Sequence, residues 1–336
     1  MTKIICTIGP ASEDKKVLKE MIKAGMSMAR INFSHGSYEE IKRRVNNIKK
    51  VSKVLKKKIP IFADLQGPKI RIGKIKNDKL LLNIGDEFVI TTKEIQKDYK
   101  VSVDYKLLPK FVKPKDKIFI DDGKIELEVI RVKNEEIICK VVVGGVVSSR
   151  KGITVRNKFL PLDAVTQEDK KDIEFALSLG ITWFAQSFVR EAKNVEELKE
   201  YLKSLDKTKK FFIIAKIEDM YGYKNIDEII KVADGVMVAR GDLGVSVERA
   251  LVPILQKEII EKTNKAKKLD IVATQMLETM VENPYPTRAE VNDVAVAVMQ
   301  KADYVMLSAE TAVGRYPVLA VKEMKRIIDV VENYKK

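Results

Sequence analysis

Short apolar runs alternate with amphipathic segments along most of the chain. Runs at 212–215, 236–239 and 304–307 are apolar on consecutive residues, which is typical of parallel strands buried on both faces. The segments between the runs carry one apolar stripe at three- and four-residue spacing, as helices packed on one side do. One such stripe consists of Ile41, Val45, Ile48 and Val51, and another of Val318, Val321, Met324, Ile328 and Val331. The pattern predicts strands at about 3–8, 26–33, 60–66, 181–189, 211–218, 235–240, 270–276 and 303–309.

Strands that alternate with helices in this way favour an α/β fold with a parallel sheet. Gly25 and Gly180 come just before two of the strands, where a glycine commonly ends a helix. With eight strands, we predict a closed TIM (β/α)8 barrel. An open doubly wound sheet is the alternative, because strand order cannot be read from sequence.

The alternation is interrupted between about residues 68 and 151. This stretch shows alternating strands, as at 125–129, and turn signals at 77–78, 85–86, 121–123 and 144–145, without a convincing long helix. We predict an all-β domain, residues 68–151, inserted after the third strand of a barrel made of residues 1–67 and 152–336. A domain inserted in a βα loop belongs at the carboxyl-terminal mouth of the barrel, so we expect it to act as a lid.

Composition narrows the class of protein. The chain has 336 residues, 45% of them hydrophobic, and no stretch apolar enough for a membrane span. Its two cysteines, Cys6 and Cys139, lie in apolar strand patterns, which predicts a reduced, cytoplasmic protein. The formal net charge of +15 favours anionic partners, but most lysines lie on predicted outer helix faces, so a solvated surface explains the charge as well.

Polar and charged residues close the predicted strands, where a buried parallel sheet should carry none. An unpaired buried charge is costly, so these positions are candidates for function. Alternate residues of a strand point the same way, and the carboxyl ends of barrel strands meet at one mouth. The residues are Arg30, Asn32 and Ser34; Lys216 and Glu218; Arg240 and Asp242; and Asp64, Thr274, Gln275 and Glu310. Singly each has an ordinary alternative, such as a structural ion pair for Arg30, but their convergence favours a site.

The residue inventory excludes several chemistries. His35 is the only histidine, which rules out a histidine-ligated metal and a Ser-His-Asp triad. The carboxylates of Glu218 and Asp242 suit a hard cation such as Mg²⁺. With cationic side chains and hydroxyls nearby, this set suits phosphoryl transfer or enolate chemistry beside Mg²⁺. Glycine motifs of the Walker or dinucleotide-binding kind are absent.

Several strings, in this order, resemble the pyruvate kinase family. They are TKIICTIGPAS (2–12), ARINFSHG (29–36), DLQGPKIRIG (64–73), DDGKIELEV (121–129), KIE (216–218), MVARGDLGV (237–245), ATQMLETM (273–280), NPYPTRAEVNDVA (283–295) and MLSAETAVGRYP (306–317). The resemblance covers nearly the whole chain and is weakest between about 74 and 115. It implies a barrel with an inserted β-domain, and Mg²⁺-dependent (or Mn²⁺-dependent) transfer of the phosphoryl group of phosphoenolpyruvate to ADP, giving pyruvate and ATP in glycolysis.

The resemblance also implies roles for the residues that match its motifs. Glu218 and Asp242 would hold Mg²⁺, and Asp242 would also lie beside the substrate. Lys216 would stabilise charge on the phosphoryl group in flight. Arg30 would hold the phosphate of phosphoenolpyruvate.

The carboxylate end of the substrate would be received by backbone amides around Gly241 and by the hydroxyl of Thr274, which is also a candidate for the proton route to pyruvate. Arg71 and Lys151 would grip the nucleotide phosphates at the two hinges of the inserted domain, with His35 as a weaker candidate. The partners implied are small molecules and a second copy in a homo-oligomer, without nucleic acid or membrane. The preferred nucleotide stays open.

The chain departs from the family at the monovalent-cation site. Many members bind K⁺ through the residues at Asn32, Ser34, Asp64 and position 65, with a glutamate at the position of Lys69. Here position 65 is leucine and position 69 is lysine. An ammonium group there would supply the charge of K⁺ and repel a bound cation, so we predict that K⁺ is not required. The alternative is that Lys69 points into solvent.

Two further departures concern the hinge and the end of the chain. Val155-Arg156-Asn157 stands where the family usually has Leu-Pro-Gly, which leaves the hinge geometry near Lys151 open. The chain ends at Lys336, after the eighth helix, so we expect a form that lacks the family's usual C-terminal regulatory domain and shows hyperbolic kinetics without sugar-phosphate activation.

Two rival functions follow from the same residues. Barrels that bind pyruvate or its enolate on Mg²⁺ also perform aldol cleavage, but such an enzyme needs neither Lys216 beside the metal ligands nor the nucleotide contacts of Arg71 and Lys151. A nucleic-acid binder is the alternative that the net charge favours, and its affinity would fall steeply with salt. No interleaving of aromatic and basic residues supports it.

Overall fold

The computed structural model describes residues 1–334, with the side chain of Gln96 left aside. Its strands, in chain order, are β1 (Lys3–Thr7), β2 (Met26–Asn32), β3 (Ile61–Asp64), β4 (Lys79–Leu82), β5 (Glu87–Thr91), β6 (Gln96–Lys97), β7 (Lys100–Ser102), β8 (Lys117–Ile120), β9 (Ile125–Lys133), β10 (Glu136–Val143), β11 (Gly145–Ser148), β12 (Ile153–Val155), β13 (Trp183–Gln186), β14 (Phe212–Ile217), β15 (Gly235–Ala239), β16 (Leu269–Ala273) and β17 (Tyr304–Leu307).

The α-helices are α1 (Lys15–Ala24), α2 (Tyr38–Leu55), α3 (Leu108–Phe111), α4 (Gln167–Ser178), α5 (Ala192–Leu205), α6 (Met220–Lys224), α7 (Ile226–Val232), α8 (Arg240–Ser246), α9 (Val252–Lys265), α10 (Arg288–Met299), α11 (Ala309–Ala312) and α12 (Pro317–Tyr334). Short 3-10 helices span Arg249–Leu251 and Glu278–Val281. None of the helices within residues 1–334 is both long and apolar enough to cross a bilayer.

Parallel strands close into a barrel in the order β1-β17-β16-β15-β14-β13-β3-β2. These are the eight strands that the apolar runs predict, so the barrel is confirmed and the open doubly wound sheet was wrong. The barrel is closed because β1 pairs with both β2 and β17. Its interior is a packed apolar core to which every barrel strand contributes. The buried members are Ile5, Met28, Phe62, Ala185, Ile214, Met237, Ile271, Ala273 and Met306.

The helices of the barrel bury most residues of the apolar stripes that their spacing predicts. In α2, Ile41, Val45, Ile48 and Val51 are buried, and the helix starts with a reciprocal capping box between Ser37 and Glu40. Gly25 ends α1 at φ 128°, where the backbone favours glycine. Cys6 in β1 and Cys139 in β10 are buried free thiols. Burial raises the pKa of both thiols, so they stay protonated and unreactive near neutral pH.

The chain divides into two compact units, and the second consists of Pro68–Asp163 with Asp242–Leu251. It contains a sheet in the order β12-β8-β9-β10-β5-β7-β6 and the antiparallel pair β11-β4. The sequence places the return boundary near residue 151, but the unit continues to Asp163 because β12 pairs with β8. The segment 242–251, which the sequence assigns to the barrel, packs in this unit through the bond from Arg156 Nε to the Val245 carbonyl, 3.4 Å.

The hinge residues that replace Leu-Pro-Gly have a local explanation. Arg156 lies over the ring of Phe119, with its guanidinium carbon 4.2 Å from the ring centroid. Asn157 has φ 56°, a left-handed conformation that asparagine tolerates better than most residues. Val155 completes the pairing of β12 with β8 through Ile118. The three residues therefore continue the sheet and then turn the chain without a glycine.

Candidate active site

The amine of Lys216 is the centre of a polar cluster in the barrel unit. Its Nζ lies 3.0 Å from Oδ1 of Asp64, 3.1 Å from Oε1 of Glu218 and 2.6 Å from Oγ of Ser187. Lys216 is next to last in β14, and its side chain is 11% exposed. Asp64 ends β3 and Glu218 directly follows β14, so the strand ends bring these groups together as the sequence predicts.

Asp64 binds a second cation as well. Nε of Arg30 lies 2.7 Å from Oδ2 of Asp64, and Nη1 of Arg30 donates to Oγ1 of Thr7 at 2.9 Å. The register of the barrel sets Arg30 beside Phe62 and Asn32 beside Asp64. Burial alone would raise the pKa of Asp64, but the charges of Lys216 and Arg30 outweigh it and lower the pKa. Asp64 is therefore an ionised anchor for two cations.

Glu218 is 1% exposed, and both of its carboxylate oxygens are engaged. Oε1 faces Lys216, and Oε2 accepts the backbone N–H of Phe188 at 2.5 Å. Phe188, which donates this N–H, has φ 54°, a rare conformation for an aromatic residue. A charge-assisted bond of this kind holds the carboxylate at a defined place next to the amine.

Ser187 belongs to the cluster, although strand-end reasoning from the sequence missed it. Its hydroxyl donates to the carbonyl of Leu65 at 2.8 Å and contacts Lys216 at 2.6 Å. The residue follows β13 and is 3% exposed. The apolar run predicts a strand over 181–189, but β13 ends at Gln186, so Ser187 lies just beyond the strand. A shorter strand would have placed its hydroxyl among the candidates.

Thr274 and Gln275 end β16 in an unusual backbone conformation. Their φ angles are 72° and 54°, so the chain leaves the strand through two consecutive left-handed residues that are not glycine. The strand therefore stops at Ala273 rather than at the predicted 276. The Thr274 hydroxyl accepts the backbone N–H of Gly241 at 2.8 Å. This contact brings together two residues that the resemblance assigns to the substrate carboxylate.

Arg240 binds this turn from its backbone side. Its Nη2 donates to the carbonyls of Thr274 (2.6 Å) and Gln275 (3.0 Å), and its Nε donates to the Thr274 carbonyl (3.2 Å). The prediction that Arg240 and Asp242 share a side by strand alternation was wrong, because β15 ends at Ala239 and both residues lie in α8. Helical backbone has a period of 3.6 residues, so positions two apart diverge.

Asp242 forms an ion pair within the second unit. The Nζ of Lys69 lies 3.1 Å from Oδ1 of Asp242 and 3.3 Å from Oδ1 of Asp122. The Lys69 side chain is 22% exposed and the Asp242 side chain 31% exposed. The alternative in which Lys69 simply points into solvent is therefore wrong. The structure instead brings it to a residue that the sequence assigns to the metal.

The two cations predicted to bind nucleotide phosphates lie close together in the second unit. Nη1 of Arg71 donates to the carbonyl of Arg150 at 3.2 Å, and the Arg71 backbone bridges to Gly152. Lys151, which lies between them, pairs with Oδ1 of Asp121 at 3.0 Å. Burial acts to raise the pKa of Asp121, but Lys151 and Lys124 lower it overall.

Of the other predicted residues, Asn32 and Ser34 are joined by a local bond, in which the Ser34 N–H donates to Oδ1 of Asn32 at 3.1 Å. His35 follows on the exposed loop before α2. Glu310 is fully buried in α11, where its carboxylate accepts the N–H groups of Leu277 (3.0 Å) and Ser308 (2.6 Å). Burial raises the pKa of Glu310 in spite of these bonds.

The comparisons with known proteins decide the family. A family model described as the pyruvate kinase barrel domain matches residues 1–321. The chain belongs to the pyruvate kinase family. It is 46% identical over 335 residues to a pyruvate kinase of Thermococcus litoralis, which covers 99% of this chain and 70% of the relative.

Other pyruvate kinases give the same result. The enzyme of Clostridium perfringens is 44% identical over 98% of this chain and 70% of its own length, and that of Geobacillus stearothermophilus is 46% identical over 97% and 56%. The chain therefore spans between 56% and 70% of the length of these three relatives. Membership in the pyruvate kinase family confirms the resemblance of the motifs and disfavours both the aldol-cleaving and the nucleic-acid-binding alternatives.

Proposed function

We propose that the protein transfers the phosphoryl group of phosphoenolpyruvate to ADP, giving pyruvate and ATP, as the last step of glycolysis. The observation that carries the proposal is the Lys216 amine, held at 3.0 and 3.1 Å from the carboxylates of Asp64 and Glu218. Membership in the pyruvate kinase family supports the substrates and the direction of transfer. In this reaction the bond between phosphorus and the enol oxygen breaks, a bond to a β-phosphate oxygen of ADP forms, and the enolate gains a proton.

Glu218 and Asp242 are the residues that would hold Mg²⁺ or Mn²⁺. Within the described part of the chain, no group of three or more histidine, cysteine, aspartate or glutamate side chains forms a metal cage. The two carboxylates of Glu218 and Asp242 suit Mg²⁺, which often takes only one or two protein carboxylates and completes its shell with water and substrate oxygens. When bound, the ion supplies charge neutralisation for phosphoryl oxygens.

The side chains of the barrel unit would position the substrate. Two bonds from Arg30 to Asp64 and Thr7 fix its guanidinium at the strand ends, and guanidinium is suited to holding a phosphate. Lys216 would stabilise negative charge on the moving phosphoryl group, because a fixed amine in a water-poor site needs little rearrangement during the reaction. Backbone amides around Gly241 and the hydroxyl of Thr274 would receive the carboxylate of phosphoenolpyruvate, and Thr274 would also take part in the proton route.

Arg71 and Lys151 would bind the phosphates of ADP, with His35 as a further candidate. The fork of Arg71 can bind two phosphate oxygens, whereas Lys151 provides a single charge. Both are held in the second unit by contacts with Arg150 and Asp121. Ion pairs at exposed positions are weak, so the Lys151 amine can leave Asp121 for a phosphate at little cost.

We also propose that catalysis does not require K⁺. The residues that would bind it, Asn32, Ser34 and Asp64, include a carboxylate that is already neutralised by Arg30 and Lys216. Lys69 stands at the position where many family members have glutamate, so the chain lacks that carboxylate for K⁺. The buried free thiols agree with a reduced, cytoplasmic location. A homo-oligomer is also part of the proposal, and it rests on the resemblance to the family alone.

An assay of ATP formation from phosphoenolpyruvate and ADP tests the proposal. The expected result is ATP formation that depends on Mg²⁺ and stops when the ion is chelated. A parallel assay for cleavage of a 4-hydroxy-2-oxo acid to pyruvate covers the aldol alternative. The proposal fails if the folded protein makes no ATP with Mg²⁺ present, and all the more so if it cleaves the oxo acid.

A further inference from the structure

We propose that Arg240 is a positioning residue for Thr274, because its guanidinium holds the left-handed turn that places the Thr274 hydroxyl. The inference rests on the proposed function, which assigns that hydroxyl to the substrate. Arg240 would not touch the substrate itself. It would act through the backbone carbonyls of Thr274 and Gln275.

The turn needs an external clamp, because two side-chain-bearing residues in succession have positive φ angles of 72° and 54°. Such a conformation persists only where surrounding contacts over-determine it. The carbonyls of Thr274 and Gln275 lie beyond the end of β16 at Ala273, so the hydrogen bonds of the strand do not include them. These carbonyls need donors elsewhere.

Arg240 supplies those donors from a single rigid group. Three N–H···O bonds of 2.6–3.2 Å join its guanidinium to the carbonyls of Thr274 and Gln275. A planar fork can bind two neighbouring carbonyls at once, whereas a lysine amine is a point donor. The guanidinium thus fixes the direction of both peptide groups.

The guanidinium is itself held on its far side. Its Nη1 lies 2.7 Å from Asp293 in α10 and 3.3 Å from Oε1 of Gln256 in α9. Arg240 is 9% exposed, so its charge is removed from most of the solvent and paired. A buried arginine bound on both sides is a stiff connection between two helices and the turn.

Gly241, which follows Arg240 in the chain, contacts the side-chain oxygen of Thr274. The Gly241 N–H donates to Oγ1 of Thr274 at 2.8 Å, so the hydroxyl acts as acceptor there and its own hydrogen is left to donate. Arg240 and Gly241 therefore grip Thr274 at its carbonyl and at its hydroxyl. A shift of the turn would misdirect the hydrogen that the proposed function offers to the substrate carboxylate.

The test compares Arg240→Lys, Thr274→Val and the double variant in the ATP-forming assay. We expect Arg240→Lys to lower kcat about 10- to 100-fold, the scale of loss from a displacement of about 1 Å near the reacting groups. If Arg240 acts through Thr274, the double variant should be no slower than Thr274→Val alone. Losses that multiply in the double variant would overturn the proposal.

Two further variants separate positioning from a purely structural ion pair. Asp293→Asn removes the charge of the partner but keeps its acceptor oxygen, and we expect a change in kcat of less than about 3-fold. Arg44→Lys alters an equally buried arginine, paired with Glu13 in the barrel unit, and controls for lost stability. If Asp293→Asn or Arg44→Lys lowers kcat as much as Arg240→Lys, the positioning role is wrong.

Melting temperatures are measured for all variants, so that kcat is compared only between folded proteins. If Arg240→Lys does not fold, the Gln275→Gly exchange in the Arg240→Lys background provides the test, because glycine adopts positive φ without the clamp. Recovery of folding and activity supports the proposal, and recovery of folding without activity contradicts it. A wild-type protein that makes no ATP refutes the proposed function, whereas an active wild type with an unaffected Arg240→Lys variant refutes only this inference.

Discussion

The Nζ of Lys216 lies 3.0 Å from Oδ1 of Asp64, and the other oxygen of that carboxylate is 2.7 Å from Nε of Arg30. One buried aspartate thus fixes two cations that the proposed reaction assigns to the same phosphoryl group. Because Asp64 is 2% exposed, its charge is screened little by solvent and orients both partners strongly. The ends of β2, β3 and β14 thereby carry one cluster of paired charges.

Gly67→Ala should disturb this cluster of paired charges indirectly. Gly67 has φ 69°, and a Cβ there would lie 2.7 Å from Cβ of Ser187, whose hydroxyl contacts Lys216. We expect a loss of about 2 kcal/mol or more in the free energy of unfolding, together with a lower kcat. Chemical denaturation and the ATP-forming assay measure the two effects.

The control is Gly85→Ala, which also places alanine at positive φ (94°) but meets no atom within 4 Å. It should cost only the backbone strain, about 1 kcal/mol, with kcat unchanged. Equal effects of the two substitutions on kcat would show that the contact with Ser187 is irrelevant to the site.

Lys151→Met should raise the KM for ADP about 10-fold and leave the KM for phosphoenolpyruvate nearly unchanged, since one phosphate contact would be lost. Lys124→Met is the matched control, because Lys124 pairs with the other oxygen of the same Asp121 at the same distance of 3.0 Å. Steady-state kinetics with each substrate varied decide the point. A comparable rise in KM with both variants would mean that Asp121, and not a nucleotide phosphate, explains the effect.

Replacing K⁺ by a large organic cation in the assay buffer should change kcat less than about 2-fold. The reason is that Asp64, one of the residues that would bind K⁺, is already neutralised by Arg30 and Lys216. The assay is run at constant ionic strength, so that screening stays equal. A large loss of activity without K⁺ would disprove this part of the proposal.

Asp270, near the start of β16 and away from the strand ends that carry the candidate site, should make the free energy of unfolding depend on pH. It is fully buried near the start of β16, and its carboxylate and that of Asp303 each accept the other's backbone N–H, at 3.0 and 3.2 Å. Burial, with a smaller contribution from Asp303, raises the pKa of Asp270 from 3.8 to about 7. Between those values the folded protein binds more protons than the unfolded chain, so this group lowers stability as the pH rises from about 4 to 7.

Asp270→Asn should therefore stabilise the protein at pH 8, where the wild-type carboxylate is charged, by an amount on the order of 1–3 kcal/mol. At pH 5 the same substitution should have a much smaller effect, since the wild-type carboxyl is already protonated there. Urea denaturation at the two pH values measures the difference. A change in free energy of unfolding that is equal at pH 5 and pH 8 would contradict the assignment.

The barrel was predictable because its strands are buried on both faces and therefore read as continuous apolar runs. Their order was not, since closure depends on pairing between β1 and β17, which lie at opposite ends of the chain. The residues at which the strands end could not be predicted from the apolar pattern either. Thr274 and Gln275 look like strand residues in sequence, yet their left-handed backbone ends β16.

The strand-end rule found Arg30, Asp64, Lys216 and Glu218, because a charge at the end of a buried strand needs a partner nearby. It did not identify Arg240 as a clamp, since its partners are backbone carbonyls that carry no signature in the sequence. The same holds for the reciprocal contact of Asp270 with Asp303. Such pairs depend on long-range register, which local patterns do not contain.

The most direct test of the account is the turnover of Lys216→Met. Because the variant lacks only the fixed positive charge, phosphoenolpyruvate should bind roughly as in the wild type while kcat falls by at least about 10²–10³-fold. Lys210→Met, at a lysine that lies over the Phe212 ring just before the same strand, is the control and should keep wild-type kcat. A folded Lys216→Met enzyme with near-normal kcat would contradict the central claim that this amine stabilises the moving phosphoryl group.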